Sequence, residues 1–261
     1  MLCIGGMLIY AMVYMLNGSK DAFSHLTGEM RPLEDFYFEF VVYIGIFLAV
    51  FTSMFLGTEY SDGTMRNKLV VGHTRTHVYL ANLIVSFVAG LLIMCTWLIT
   101  ALVGIPKLGL FTLSVSELMV YFLICVLLVA AYSAINTLIA MLSSNKTATV
   151  LISILLFFGL LLGSSILYEA LNEPETISSV SGITISGVTA LTGDSVPNPN
   201  YIGGAFRSIL QSVLYILPTG QSLKISALKI EQPYIMVASS VVITAVLTVV
   251  GIVLFRKKDL K

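Results

Sequence analysis

Long apolar runs almost free of charge dominate this chain: 40–57, 78–104, 118–142, 148–168 and 234–255, with a shorter one at 1–16. A helix needs about 20 such residues to cross a bilayer. The runs therefore predict an all-α integral membrane protein with six transmembrane helices, forming a single domain over 1–261. With 57% hydrophobic and 11% charged residues, and a mean hydropathy of +0.95, the chain lies far from the roughly 25% charge of soluble domains. The run 1–16 starts at Met1 with no Lys or Arg ahead of it. It lacks the charged region of a signal peptide and reads as a span.

Six spans place both termini on one side, and Lys and Arg in short flanks decide which side. One set of flanks holds Arg66, Lys68, Arg75, Lys146, Arg256, Lys257, Lys258 and Lys261 in three short segments. The other holds Lys20, Arg31, Lys107, Arg207, Lys224 and Lys229, spread over longer ones. The first set is expected to be cytoplasmic, with both termini, in a plasma membrane.

The spans carry no Asp, Glu, Lys, Arg or His in their middles; their polar content is hydroxyls and amides such as Thr52, Ser53, Asn82, Ser133, Asn136 and Ser240. Such groups cross-link helices at modest cost. Ion-driven carriers and voltage sensors keep ionisable groups at membrane depth, so the power is expected from outside the chain. No Gly-x-x-x-x-Gly-Lys-Ser/Thr stretch, which would present backbone N–H groups and a Lys to phosphates, occurs in the sequence. An ATP-driven function would need a second polypeptide to hold the nucleotide, and nothing catalytic is recognised in this one.

The polar island Glu59 to Arg75 interrupts two apolar runs. Ser61 or Asp62 can cap a short helix from about Gly63 to Val71. Gly72 fits a left-handed stop, and Thr74 can cap the next span. On this helix Arg66 and Lys68 would face water or a partner's carboxylates, with Met65, Leu69 and Val70 as an apolar edge. The plainer reading is a basic loop obeying the charge rule. The ordered caps, and Glu59 with no topological reason to be there, favour a docking element.

The string Glu59-Tyr60-x-x-Gly63-Thr64-x-Arg66-Asn67-Lys68-Leu69, followed by Arg75 and a span, resembles the cytoplasmic connection between spans two and three of type-2 ABC exporter permeases. The ending Phe255-Arg256-Lys257-Lys258-Asp259-Leu260-Lys261 and the stretch Leu217-Pro218-Thr219-Gly220-Gln221 are similar to further parts of that family. The resemblance implies a half-transporter that pairs with a second permease subunit, identical or paralogous. It also implies two cytoplasmic ABC ATPase subunits, which would hold the ATP and Mg, and a bacterial origin. It makes the segment 58–77 a coupling element, with Glu59, Tyr60, Gly63, Thr64, Arg66, Asn67, Lys68 and Arg75 as coupling residues and Asn145 and Lys146 in a minor contact. Members usually carry an amphipathic segment ahead of the first span, and this sequence does not show one.

Tyr43, Phe47, Phe51 and Phe55 recur every four residues on one helix face, a wall for an amphipathic cargo or simply packing. Gly159 and Gly163 form a Gly-x-x-x-Gly that permits close helix approach, between subunits or within one. The exterior segment 169–233 opens with a Ser/Thr/Gly-rich run. It then places Phe206, Ile209, Leu210, Val213, Leu214 and Leu217 on one face of an amphipathic or re-entrant helix that stops at Pro218. His73 and His77 lack a third ligand, so no metal site is expected, and Cys3, Cys95 and Cys125 fall singly inside spans. The function expected is export of an amphipathic or hydrophobic substrate, such as a small peptide, toxin or antibiotic. The alternative is a membrane anchor or sensor subunit that recruits a cytoplasmic partner without transporting; nucleic acid is not expected as a partner.

Overall fold

The computed structural model describes residues 33–108, 111–143, 145–185 and 188–258. The expected span 1–16 lies outside them, as do Cys3 and the last three residues of the tail. The helices are α1 (Leu33–Glu39), α2 (Ile44–Ser61), α3 (Thr64–Val70), α4 (Arg75–Leu108), α5 (Val115–Leu142), α6 (Lys146–Asn172), α7 (Gly204–Ile216), α8 (Pro218–Ser226) and α9 (Pro233–Lys257). A single 3-10 turn, Phe40–Val42, links α1 to α2. Among the described residues, five helices, α2, α4, α5, α6 and α9, are long and apolar enough to cross a membrane. They match the expected runs to within a few residues.

The all-α expectation needs one correction. Strands β1 (Thr176–Ile185) and β2 (Val188–Pro197) pair antiparallel, with Thr176 opposite Pro197 and Ile185 opposite Val188. Thr, Val and Ile recur through both segments, and β-branched side chains fit a pleated strand. The Ser and Gly between them hid that signal.

Helix α5 is the hub, touching α2, α4, α6, α8 and α9. A capping box starts it: Ser114 Oγ accepts from the Glu117 N–H at 3.3 Å, and Glu117 Oε2 accepts from the Ser114 N–H at 3.0 Å. Half of its apolar stretch is buried in the protein, against 17% for α6 and 11% for α9. Those two helices therefore turn most of their Leu, Ile and Val side chains outward. Trp97 on α4 anchors the end of the bundle where α1 wraps. Its ring stacks on Phe36 and Phe40 at 5.1 and 4.4 Å, and its Nε1 donates to Tyr37 O at 3.0 Å.

Pro218 ends α7 as expected but also begins α8, since its missing N–H costs nothing at a first helical position. The new helix runs inward. Thr219 Oγ1 donates to Leu160 O at 3.1 Å and lies 2.7 Å from Ser164 Oγ, about 12 Å along α6 from its end at Asn172. Gln221, fully buried, donates through Nε2 to Tyr215 O at 2.8 Å and Ser239 Oγ at 2.8 Å, and accepts from Ser240 Oγ at 2.8 Å. An amide with its donors and acceptor satisfied in an apolar bundle fixes one arrangement. The motif Leu217 to Gln221 is thus the joint between α7, α8 and α9.

Gly220 owes its identity to this joint, because a Cβ there would lie 2.2 Å from the backbone oxygen of Leu214. Gly220→Ala is expected to cost about 1–3 kcal/mol through overpacking, read as a lower unfolding temperature in detergent. At Gly159 and Gly163, where nothing among the described residues lies within 4 Å of the added carbon, the change to Ala should not lower that temperature in the monomer, since Ala is the better helix former.

Candidate functional site

The island between α2 and α4 is built from its helix ends. Ser61 and Asp62 do not cap α3, contrary to the sequence expectation. The Ser61 hydroxyl bonds back to Gly57 O at 2.8 Å and Thr58 to Met54 O at 2.8 Å, the local habit of hydroxyls inside helices. This carries α2 four residues past Gly57. The Asp62 N–H closes it on Thr58 O at 2.9 Å. Gly63 then reverses the chain at a φ of 68°, a left-handed conformation natural to glycine, and serves as the N-cap of α3.

Helix α3 stops as expected. Gly72 takes a φ of 104°; its N–H reaches Leu69 O at 3.1 Å and the His73 N–H reaches Lys68 O at 3.1 Å, the paired bonds of a Schellman stop. Thr74 Oγ1 accepts from the His77 N–H at 3.3 Å and lies 2.9 Å from His77 Nδ1. That histidine therefore belongs to the cap of α4. Met65, 2% exposed, plugs α3 into a cluster of Leu56, Val78, Tyr79, Met141 and Phe255. Burial of such a side chain stabilises the seat by about 1.5–3 kcal/mol.

The charged residues around this seat mostly hold helices to one another. Glu59 on α2 pairs with Lys68 on α3, which explains an acid that topology did not call for. Arg75 at the start of α4 donates to the carbonyls that end α9: Phe255 O at 3.0 Å, Arg256 O at 3.3 Å and Lys258 O. A cation at the carbonyl end of a helix also meets its negative dipole end. Lys258 crosses back, donating to Met141 O at 2.9 Å and Tyr60 Oη at 3.3 Å, with its ammonium 4.4 Å from the Tyr60 ring centre. Tyr60 itself donates to Met141 O at 2.7 Å. Lys146 reaches Thr58 Oγ1 at 3.0 Å, and the Asn145 side chain caps α6 by accepting from the N–H of Thr147 at 2.9 Å.

The structure thus gathers Glu59, Tyr60, Lys68, Arg75 and Lys146 into one tied platform and leaves Thr64, Arg66 and Asn67 exposed on α3. Of the expected apolar edge, Val70 is exposed at 79%, with Val71 beside it at 80%, whereas Met65 and Leu69 turn inward onto the bundle. Lys258 and Met141 were not among the expected site residues, and Met65 was expected on the edge of the helix rather than in a buried seat. The basic tail hinted at the first, but no local pattern marks the second.

The aromatic stripe of α2 divides. Phe47, half-buried, stacks on the core residue Phe40 at 5.9 Å, and Tyr43 is 42% exposed. Phe51 and Phe55 stack nearly parallel, 5.9 Å apart. With Met54, Thr58, Asp62 and Thr64 they line an open groove of about 530 Å³ that runs to the foot of α3. Among the described residues nothing lies within 4 Å of a Cβ built at Gly159 or Gly163; both lie on the outward face of α6, near exposed Leu155, Leu162 and Ile166.

Two outcomes test the platform. Arg75→Ala should free the end of α9, seen as faster amide exchange from Phe255 to Lys258, and should cost about 1.5–3 kcal/mol for the lost charge-assisted bonds. Burial pushes the Lys258 amine down to about 8. A lysine depressed in the folded state carries a penalty while charged, in full below pH 8 and relieved as pH rises towards the ordinary value of 10.5. Stability relative to Lys258→Met should therefore rise between those limits. At pH 8 an amine-acylating reagent should modify Lys258 ahead of Lys257, as read by peptide mass mapping.

Residues 1–160 match the family model described as ABC-2 family transporter protein. Searches of the curated proteins and of the solved structures returned no match. The matched stretch takes in α2, the island and α5, and the chain belongs to the ABC-2 transporter family, as a multi-pass membrane protein.

Proposed function

We propose that this family member is the permease subunit of an ATP-driven exporter and that α3 is its coupling helix, the surface on which a separate ATPase subunit sits. The observation that carries the reading is the division of labour in the island. Met65 seats α3 firmly, Glu59 and Lys68 brace it, and Arg66, Asn67, Val70 and Val71 remain free on its outer side. An element so held can be pushed by a partner and pass the push to α2, α4, α5 and α9 together. Glu59, Tyr60, Lys68, Arg75 and Lys146 transmit, while Thr64, Arg66 and Asn67 make contact.

The rest of the proposal follows the family. Two ATPase subunits, cytoplasmic and carrying ATP and Mg, work with two permease subunits that meet through the outward faces of α6, where Gly159 and Gly163 lie. Both termini are on the ATPase side of a bacterial plasma membrane. An amphipathic or hydrophobic cargo, a small peptide, toxin or antibiotic, moves outward; the groove along Phe51 and Phe55 supports a greasy path on α2.

Arg66→Glu combined with Val70→Asp alters only exposed positions and should leave thermal stability intact. Transport of a labelled substrate by vesicles holding the chain and its ATPase subunit should fall by roughly tenfold or more, as for loss of an interface hot spot. Full transport by this variant would remove α3 as the coupling surface.

A further inference from the structure

At the end of the bundle away from α3, the end of α6, the polar side of α7, the end of α8 and the loop before α9 line an open cavity of about 580 Å³. Lys224 is its deepest charge, 5% exposed. Its ammonium lies 5.7 Å from the Tyr168 ring centre and 5.5 Å from that of Tyr215. The nearest carboxylate oxygen, on Glu231, is 3.9 Å away, beyond hydrogen-bond length, and Glu231 instead accepts from Tyr215 Oη at 3.0 Å. Among the described residues, no acceptor lies within hydrogen-bond distance of the Lys224 ammonium. A buried ammonium whose protein partners leave its donors unspent is costly, and this one faces a cavity.

The fold takes trouble to shape this place. Leu228 sits at a φ of 53°, rare for a bulky residue, so that the Lys229 N–H closes on Lys224 O at 3.0 Å and the chain turns back across the cavity. Arg207 pins the mouth, donating to Leu171 O at 2.6 Å and Ile202 O at 3.1 Å. The walls balance in charge: Arg207, Lys224 and Lys229 against Glu173, Glu175 and Glu231. That balance selects against a plain anion and in favour of a group carrying both signs.

The cavity also has a depth. Arg207 and Gln211 of α7 line it, whereas Phe206, Ile209 and Ile216 on the same helix are exposed at 60%, 59% and 48%. A helix with one polar, occupied side and one bare apolar side lies in the membrane interface. From the unspent donors of Lys224, the carboxylates that share its cavity and this interfacial position, we infer that the cavity binds a phosphodiester bearing a primary ammonium. The phosphate would meet Lys224 and the ammonium Glu173 and Glu175. A carboxylate wall suits an ammonium that donates hydrogen bonds over a quaternary one. The group is the headgroup of an aminophospholipid, or its soluble glycerophosphoethanolamine form.

The test uses the full chain, purified from nanodiscs of equal parts phosphatidylethanolamine, phosphatidylcholine and phosphatidylglycerol, with retained lipid counted by native mass spectrometry. Phosphatidylethanolamine should be retained roughly tenfold over the others, and Lys224→Met should lose that preference, as one charge-assisted contact is worth about that factor. Glu175→Gln, at an exposed wall position, keeps the test open should Lys224→Met fail to fold; it should shift retention towards phosphatidylglycerol. Lipid-free protein in detergent is then heated with glycerophosphoethanolamine. A raised unfolding temperature in the native chain and not in Glu175→Gln assigns binding to the headgroup alone, and no rise alongside selective lipid retention assigns it to the lipid. Retention that follows bulk composition, or is the same in native and variant proteins, overturns the inference.

Discussion

Hydrocarbon offers a backbone polar group no partner but the chain itself, and this structure is organised by where that rule bites and where it relaxes. Among the described residues, bonds between helices inside the bundle come from neutral groups. Ser53 meets Ser153 at 3.2 Å, and Gln221 spreads its bonds over Tyr215, Ser239 and Ser240. At the α3 end, where charge is tolerated, cations close the carbonyl ends of helices that have run out of internal donors. Arg75 does this for α9 and Lys258 for α5. Each cation comes from a different helix, so the act of capping is also the act of joining.

The parts legible in the sequence were those governed by short range. Apolar runs locate five helices because nothing interrupts them, and the stop at Gly72 follows from one residue's freedom at positive φ. The start of α3 was misassigned because Ser61 has two local options, capping forward or bonding back to Gly57, and sequence does not rank them. The hairpin from Thr176 to Pro197 was obscured because Ser and Gly dilute its β-branched residues. Arg75 with Phe255 and Lys258 with Met141 were beyond reach for another reason. Their partners stand 180 and 117 positions away, and only the packed bundle makes them neighbours.

This difference in range changes the meaning of the island's motif. A resemblance groups Glu59, Arg66, Lys68 and Arg75 as one set, yet their bonds divide them. Glu59, Lys68 and Arg75 spend charge inside the chain, whereas Arg66 stands exposed on α3. Removing a bracing residue and removing an exposed one would both impair a machine that depends on the island. The first would do so by loosening the seat of Met65, the second by weakening contact outside the chain. Stability measured beside activity separates the two.

The two ends of the molecule are joined by α9. Its second turn meets Gln221 through Ser239 and Ser240, and it finishes under Arg75. Its 25 residues make a rod of about 37 Å. One side runs along α5, and Val242, Val246, Val249 and Val253 on the other face outward. The rod is fastened by hydrogen bonds towards both ends and packs against α5, α4 and α7. If α3 couples as proposed, a push on its platform would reach the joint at Gln221, and α8 with Lys224, along this helix. A fold that placed its fastenings at mid-helix would lack that path, since the helix ends would be free to lag behind the push.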